Sequence, residues 1–297
     1  MKTKLLLNPG TGWAGTTPFY YTLRDSKFCH AGFKKEFHYL KMMSENNEKW
    51  DEFMMKRYTT LDRRDFRTQE VPTITAEYNK DYYIRLLTPP HTFEKYIAHM
   101  YRLKECFPDY NAVCDFSNYN CSLPQSFLVK HAEALKESFD VKVTFLIAEP
   151  VNRYYQEIGG LINQYHSGKA EKMRKLHKND DLVIQYYISR KMQRKLFEYC
   201  IKRLRFSNNC NYDKNLKRLE DSYGKKNVLV LQMERFWDLS YHNEQTERLS
   251  SFLDYPISKL YPNKYCQDNK DVQDLGDQNT EFEPLTPELY ELGKRYL

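Results

Sequence analysis

The stretch Lys4-Leu-Leu-Leu7-Asn8-Pro-Gly10-Thr-Gly12-Trp13-Ala14-Gly15-Thr16-Thr17 joins an apolar run to three glycines and three threonines. Residues 4–7 predict a short buried strand, and the residues after Thr16 predict a helix. A glycine-rich turn between a strand and a helix aims backbone N–H groups at the helix N-terminus, where anions are stabilised. The stretch therefore predicts a phosphate-binding loop, with a plain glycine turn as the alternative.

The glycine spacing of this loop, Gly10-x4-Gly15-Thr16-Thr17, is that of a Walker A motif in which Thr16 replaces the lysine. ATPases and kinases with this loop use the lysine on the β- and γ-phosphates. Its replacement disfavours a P-loop phosphotransferase. That class of enzyme stays open as a hypothesis, which ATP turnover with magnesium would test.

The rest of the chain alternates apolar runs with segments of helical spacing. Further strands are expected at 112–116, 142–148 and 227–233, and helices at 92–106, 125–139, 152–165, 182–204 and 213–223. Strands that are apolar on both faces indicate a parallel sheet covered on both sides. We expect an α/β fold of P-loop type, three-layered and doubly wound, with a mainly parallel sheet and helices on both faces. We expect a single domain over 1–297 with a helical insertion around 165–222.

The composition excludes several classes of function. The chain has 297 residues, 41% of them apolar, and a formal net charge of +6, which fits neither a disordered segment nor a strongly basic nucleic-acid binder. Its seven cysteines include no Cys-x-x-Cys pair and its eight histidines no His-Glu-x-x-His pattern, so we expect no metal site. We expect a cytoplasmic protein with reduced thiols, because no apolar run is long enough for a signal peptide or a membrane span.

A basic stretch at 190–205 contains Arg190-Lys-Met-Gln-Arg-Lys195 and Lys202-Arg-Leu-Arg205. Its helical spacing predicts an amphipathic helix with a solvated basic face. The alternative is the rim of a site for an acidic acceptor such as a glycan. Neither interpretation predicts a nucleic-acid partner.

The loop that ends in Gly15-Thr16-Thr17 resembles that of the sulfotransferase family, which commonly reads Pro-Lys-x-Gly-Thr-Thr. Four later stretches resemble family segments in the same order. They are His30-Ala-Gly-Phe-Lys-Lys35-Glu36-Phe-His38, similar to Glu-x-His-Phe-Phe; Asp115-Phe-Ser117-Asn-Tyr119, similar to Ser/Thr-Pro-x-Tyr; Ile147-Ala148-Glu-Pro-Val-Asn-Arg153, similar to Leu-Arg-[Asp/Glu/Asn]-Pro-Val-x-Arg; and Val228-Leu-Val-Leu-Gln-Met-Glu234, similar to a late strand ending in Tyr-Glu-Asp-Leu. The resemblance extends from residue 4 to about residue 255.

This resemblance implies that the chain binds PAPS (3′-phosphoadenosine 5′-phosphosulfate) and transfers its sulfuryl group to a hydroxyl or amine of an acceptor such as a glycan or a small molecule. It implies that residues Gly12, Trp13, Ala14, Gly15, Thr16 and Thr17 hold the 5′-phosphate, with the two threonine hydroxyls as donors. Glu36 is implied as the base and His38 as the residue that positions the acceptor. Ser117 is implied as a contact to the acceptor or the cofactor.

Three positions depart from the family pattern. The loop lysine falls on Trp13, the arginine that contacts the 3′-phosphate falls on Ala148, and a serine eight residues later falls on Gln156. Lys34 or Lys35 would replace the loop lysine, and Arg153 with Gln156 would hold the 3′-phosphate. Arg153 has an alternative as a helix-start salt bridge. The departures keep a second hypothesis open, a non-catalytic or re-purposed relative that binds a nucleotide or a partner.

Sulfuryl transfer requires a base on the acceptor and cations on the leaving phosphate. In an extended segment Glu36 and His38 point to the same face, and Lys35 points to the other. A solvated Lys-Lys-Glu turn is the alternative for this segment. The sequence thus predicts Glu36, His38 and Lys35 as the catalytic residues.

Overall fold

The computed structural model describes residues 2–12, 14–32, 35–45, 55, 80–118, 120–164, 182–202, 211–258 and 285–296. Within these residues the strands form one sheet in the order β2-β3-β1-β4-β5, and all neighbours pair in parallel. The strands are β1 (Thr3–Leu7), β2 (Cys29–His30), β3 (Ala112–Asp115), β4 (Phe139–Ile147) and β5 (Val228–Gln232). The loop predicted to bind phosphate therefore follows the central strand, at the carboxyl edge where ligands bind in such sheets.

Helices connect these strands and cover the sheet. They are α1 (Thr16–Asp25), α2 (Tyr39–Glu45), α3 (Lys80–Leu87), α4 (Phe93–Cys106), α5 (Gln125–Leu135), α6 (Pro150–Gln164), α7 (Leu182–Ser189), α8 (Gln193–Lys202), α9 (Tyr212–Tyr223), α10 (Met233–Trp237), α11 (His242–Leu253) and α12 (Pro287–Tyr296). Thr92 caps α4, because its side chain accepts a hydrogen bond from the Lys95 N–H.

Alternating leucines of β1 divide the core between the two faces of the sheet. Leu5 and Leu7 pack in a cluster to which α4, α5 and α9 contribute, and Leu6 packs in a second cluster with residues of α1 and α11. Successive strand side chains point to opposite faces, so one strand can serve both clusters. The arrangement confirms the predicted three-layer α/β fold with a parallel sheet.

A third cluster joins α6, α8 and α12 beside this sheet. Its buried members include Tyr154 on α6 and Phe197 on α8, and Leu289 of α12 packs against them. Of these helices only α8 lies in the region predicted as a helical insertion, 165–222. Residues 165–181 and 203–210 lie outside the described residues, so the insertion and the single domain stay predictions.

The structure differs from the sequence prediction in one unexpected strand and in the bounds of two helices. The two-residue strand β2 was not expected, since Cys29-His30 forms no apolar run. The helix expected at 182–204 is two helices, α7 and α8, because Lys191 between them adopts a left-handed φ of 54°. The helix expected at 125–139 ends at Leu135, and Phe139 instead begins β4.

Candidate functional site

The loop after β1 is tied to the strands on both sides of it. The Asn8 N–H donates to the Asp115 carbonyl of β3 at 2.8 Å, and the Asn8 side-chain amide donates to Thr144 Oγ1 of β4 at 3.0 Å. The Thr11 hydroxyl donates to the Leu146 carbonyl at 3.3 Å. Asn8 and Thr11 are fully buried. These side chains therefore hold the loop in place between the two strands.

Gly15 turns the chain from the loop into α1. It is the N-cap residue of the helix and has a left-handed φ of 69°, which favours glycine. The first turn of α1 contains no acidic residue, and it begins with Thr16 and Thr17. Backbone N–H groups at a helix N-terminus stabilise anions. The loop therefore has the strand–turn–helix geometry that the sequence predicted, and phosphate binding stays a prediction; Trp13 lies outside the described residues.

Lys35 lies against the beginning of α1. Its Nζ donates to Thr16 Oγ1 at 3.0 Å and is 3.1 Å from Glu36 Oε1. The expectation that Lys35 points away from Glu36 is wrong, because the long lysine side chain folds back to reach both partners. An ammonium group therefore lies at the α1 N-terminus although the loop itself lacks the lysine. Lys34, the other predicted substitute, lies outside the described residues.

Glu36 is surrounded by hydrogen-bond donors. Its Oε1 accepts from Asn118 Nδ2 at 2.7 Å as well as contacting Lys35, and its Oε2 is 3.2 Å from His38 Nε2. Burial alone would raise the Glu36 pKa, but the Lys35 charge and the hydrogen bond with His38 outweigh it. The pKa therefore lies well below its ordinary value, and the carboxylate is ionised at neutral pH.

His38 completes the predicted trio and has an unusual backbone. Its φ is 56°, a left-handed value that few residues other than glycine adopt. Its N–H donates to Ser117 Oγ at 2.7 Å, and its carbonyl accepts from the Met42 N–H at 3.2 Å at the start of α2. The structure thus brings Glu36 and His38 together, as the sequence predicted, and adds Lys35, which was expected on the other face.

Ser117 is fully buried just beyond β3. Its hydroxyl accepts from the His38 N–H and donates to Asp115 Oδ1. This differs from the direct acceptor or cofactor contact that was implied for Ser117, because both partners of the hydroxyl are protein groups. Asp115 and Asn118 were not assigned a role from sequence. The signal that points to them is their place at the end of the strand beside β1, next to the loop.

Arg153 on α6 contacts the loop from the side of β4. Its Nη1 donates to the Gly12 carbonyl at 2.8 Å and is 3.1 Å from Glu157 Oε2. The Arg153 side chain is 0% exposed and that of Glu157 is 5% exposed. The helix salt bridge considered as an alternative is therefore present, and it is buried rather than on the surface. In this arrangement the guanidinium stabilises the loop.

Gln156 and Glu149 occupy the exposed part of the same helix start. Gln156 is exposed, whereas the Glu149 carboxylate accepts from the backbone N–H groups of Val151 and Asn152 at 3.2 and 2.7 Å. Glu149 therefore caps α6, and its negative charge interacts favourably with the helix N-terminus. Of the two residues predicted to hold a 3′-phosphate, Gln156 is the one whose side chain is open to solvent.

The other features of the described residues concern metal ligands, cysteines and the length and polarity of the helices. Among them, no group of three or more His, Cys, Asp or Glu side chains has an arrangement that could hold a metal ion. The described cysteines, which are Cys29, Cys106, Cys114, Cys121 and Cys200, are buried free thiols. Within the same part of the chain, every helix is too short or too polar to cross a membrane.

Comparisons with known proteins add one structural likeness. Neither the protein-family models nor the curated proteins gave a match to this chain. Among solved structures, the chain is similar to a sulfotransferase domain from the curacin biosynthetic pathway, with 13% sequence identity and a TM-score of 0.46. The alignment covers 99% of this chain and 97% of that one. At this identity and TM-score the likeness does not assign the chain to a family.

Proposed function

We propose that this chain is a sulfotransferase that moves a sulfuryl group from PAPS to a hydroxyl or amine of an acceptor. The observation that carries the proposal is the position of the Lys35 ammonium, 3.0 Å from Thr16 Oγ1 at the N-terminus of α1. A cation there replaces the lysine that the loop lacks. The ordered sequence resemblance to sulfotransferases supports the same function.

The residues around the loop fit the anionic end of this donor. The N-terminus of α1, the Thr16 hydroxyl and the Lys35 ammonium are three groups that favour negative charge. Toward α6, Gln156 offers an exposed amide for the 3′-phosphate, whereas Arg153 is occupied by Gly12 and Glu157. When bound, PAPS supplies the sulfuryl group and leaves as a phosphate. Lys35 is proposed to stabilise the charge that develops on this leaving phosphate.

Glu36 is proposed to accept the proton of the acceptor, with His38 beside it to orient the acceptor group. The carboxylate is ionised at neutral pH, as a base must be, but its contact with Lys35 makes it a weak base. Movement of Lys35 Nζ onto an anion at the α1 N-terminus would remove this contact and raise the Glu36 pKa. Donor binding would in this way strengthen the base that the transfer requires.

A non-catalytic relative that binds a nucleotide is the second candidate. Two observations favour it: Glu36 is already contacted by three donor side chains, and Arg153 is not open to a ligand. Such a protein would use the loop to bind an anion and would leave Glu36 as a structural ion-pair partner. The two candidates make different predictions for turnover but not for binding.

Two measurements on the full chain test the proposal. Calorimetric titration with 3′,5′-adenosine bisphosphate, the product of PAPS after transfer, should give saturable binding in the micromolar range. A labelled-PAPS screen over glycans, small alcohols and tyrosyl peptides should then give sulfate transfer that Glu36→Gln abolishes. Binding without transfer to any acceptor would favour the non-catalytic candidate, and absence of binding at high micromolar ligand would contradict both.

A further inference from the structure

A buried carboxyl group lies behind the segment that carries Glu36 and His38. Asp115, the last residue of β3, is 2% exposed. Its Oδ1 accepts from both the N–H and the hydroxyl of Ser117, and its Oδ2 accepts from the Tyr96 hydroxyl at 3.0 Å. Burying a carboxyl group costs free energy, which its hydrogen bonds offset, and such a hydrogen-bonded group makes its surroundings more rigid.

Asp115 fixes the direction of the Ser117 hydroxyl. A serine hydroxyl has one proton to donate, and here that proton faces Asp115. A lone pair of Ser117 Oγ is therefore turned toward the His38 N–H, which donates to it at 2.7 Å. The carboxyl thus acts on the His38 backbone through one hydroxyl group.

This hydrogen bond is made at a residue with a left-handed backbone. His38 has a φ of 56°, and such a conformation persists only where the surrounding structure holds it. A second tie is made by the Phe116 N–H, which donates to the Lys35 carbonyl at 3.2 Å. The residues just beyond β3 therefore hold the segment 35–38 at both of its ends.

We infer that Asp115 and Ser117 are positioning residues, which hold the left-handed turn at His38 and thereby set the imidazole against the Glu36 carboxylate. This inference rests on the proposed function, since it gives a catalytic purpose to the geometry of the pair. The charges that face His38 are Glu36 on its own segment, with Lys35 beside it, and Asp115 behind Ser117. Burial raises the pKa of Asp115, and its hydrogen bonds and the His38 charge offset part of that rise.

Two variants separate the hydrogen bond from the charge. Ser117→Ala removes the acceptor of the His38 N–H. Asp115→Asn keeps the shape and an oxygen that can accept from Ser117, but it removes the charge. Thr246→Val on α11 is the matched control, because it removes a nearly buried hydroxyl that donates only within its own helix, to His242 and Asn243.

The first measurement is the NMR chemical shift of the His38 imidazole Nε2 in the full chain at a fixed pH, which needs neither donor nor acceptor. In Ser117→Ala this chemical shift should move toward that of Glu36→Gln, since both changes separate the imidazole from the carboxylate. Asp115→Asn should move it in the same direction by a smaller amount, and Thr246→Val should leave it unchanged. A folded Ser117→Ala variant with the chemical shift of the unaltered protein would overturn the inference. If Ser117→Ala does not fold, Asp115→Asn decides by the same criterion.

The second measurement is the release of labelled sulfate from PAPS to water, followed for the same variants. Ser117→Ala should lower kcat about tenfold, with KM for PAPS changed less than twofold, because the donor site is untouched. A rise in KM without loss of kcat would place Ser117 in the donor site and contradict the inference. If the unaltered protein neither binds nor turns over PAPS, the proposed function fails, while the chemical shift of His38 Nε2 still decides the positioning role.

Discussion

The two flanks of the phosphate loop differ in what their charged side chains contact. On the β3 side, the Lys35 and Glu36 side chains are 15% and 27% exposed, and they lie next to Thr16. On the β4 side, Arg153 and Glu157 are buried against each other and against the Gly12 carbonyl. The side chains of the first flank are partly exposed beside the loop, and a ligand bound by Lys35 would change its contacts with Thr16 and Glu36. The second supports the loop and offers Gln156 to solvent.

This difference shows that a cation near a phosphate loop has two possible uses. Arg153 resembles a family motif in sequence, yet its guanidinium contacts Gly12 and Glu157 of the protein itself. Lys35 matches no loop position, yet its ammonium lies at the helix N-terminus where an anion would bind. The direction of the side chain decides between these uses, and a sequence motif does not contain that direction.

The largest expected effect comes from breaking the buried flank. Arg153→Ala leaves Glu157 as a buried carboxylate without this partner, so we expect a loss of about 3–5 kcal/mol in the free energy of unfolding. Urea denaturation measures it, with Arg153→Ala/Glu157→Ala as the control that should recover part of the loss. Unchanged stability together with weaker binding of 3′,5′-adenosine bisphosphate would mean that Arg153 contacts the ligand instead.

The next effect concerns the exposed flank. Lys35→Ala removes the cation next to Thr16, so sulfate transfer should fall about 10²–10³-fold in kcat, the usual cost of a lost donor to developing charge. Lys41→Ala is the control, since Lys41 pairs with Glu45 on α2 at 3.7 Å. Rates are measured with labelled PAPS. Equal rates for Lys35→Ala and Lys41→Ala would show that another group stabilises the leaving phosphate.

A smaller effect is the dependence of stability on pH. The pKa of Glu36 is lower in the folded protein than its ordinary value of 4.5, so its contribution is present above pH 4.5 and is lost as pH falls further. We expect a contribution on the order of 1–2 kcal/mol at pH 7. Urea denaturation of the unaltered protein and of Glu36→Gln should show a difference that narrows toward pH 3. A difference that is constant from pH 7 to pH 3 would contradict the ion-pair geometry.

Asp115 should respond to pH in the opposite direction. Its pKa is raised by burial, so it favours the folded state when protonated, and this contribution is lost as pH rises through the folded pKa. The Asp115 carboxyl lowers the free energy of unfolding as pH rises, and Asp115→Asn should remove this decrease. The Glu36 carboxyl raises the free energy of unfolding as pH rises, and Glu36→Gln should remove that increase. Denaturation over the same pH range measures both carboxylates, and slopes of equal sign would show that one assignment is wrong.

The smallest effect on stability is expected at Gln156. Because its side chain is exposed, Gln156→Ala should change the free energy of unfolding by less than about 0.5 kcal/mol. If its amide holds the 3′-phosphate, the variant should bind 3′,5′-adenosine bisphosphate a few times more weakly while binding adenosine 5′-monophosphate unchanged. Equal weakening for both nucleotides, or none, would remove Gln156 from the proposed donor site.

Much of the fold was predictable because its signals are local. The strands β1, β3, β4 and β5 are apolar runs, and the loop is recognisable from its glycine spacing. The strand β2 was missed because two residues carry no periodicity. The break between α7 and α8 was missed because the apolar pattern continues across Lys191, whose left-handed backbone interrupts the helix.

The candidate site was predictable in its residue types but not in its contacts. Glu36 and His38 were expected together because they are two residues apart. Lys35 was placed on the wrong side, since alternation describes where a side chain starts and not where a long one ends. Asn118 was not assigned because its contact with Glu36 joins residues 82 apart in the chain. Asp115 was not assigned because it reaches His38 only through Ser117, whose own contact joins residues 79 apart.

The shortness of β2 has a consequence for solubility. β2 pairs with only Ala112 and Val113, and the Phe116 N–H beyond β3 is instead used by the Lys35 carbonyl. An open strand border is a template on which another chain can add and aggregate. The segment that carries Lys35, Glu36 and His38 therefore also covers the backbone just beyond the end of β3. Changes that loosen this segment would expose a place for chain-to-chain association as well as disturb the site.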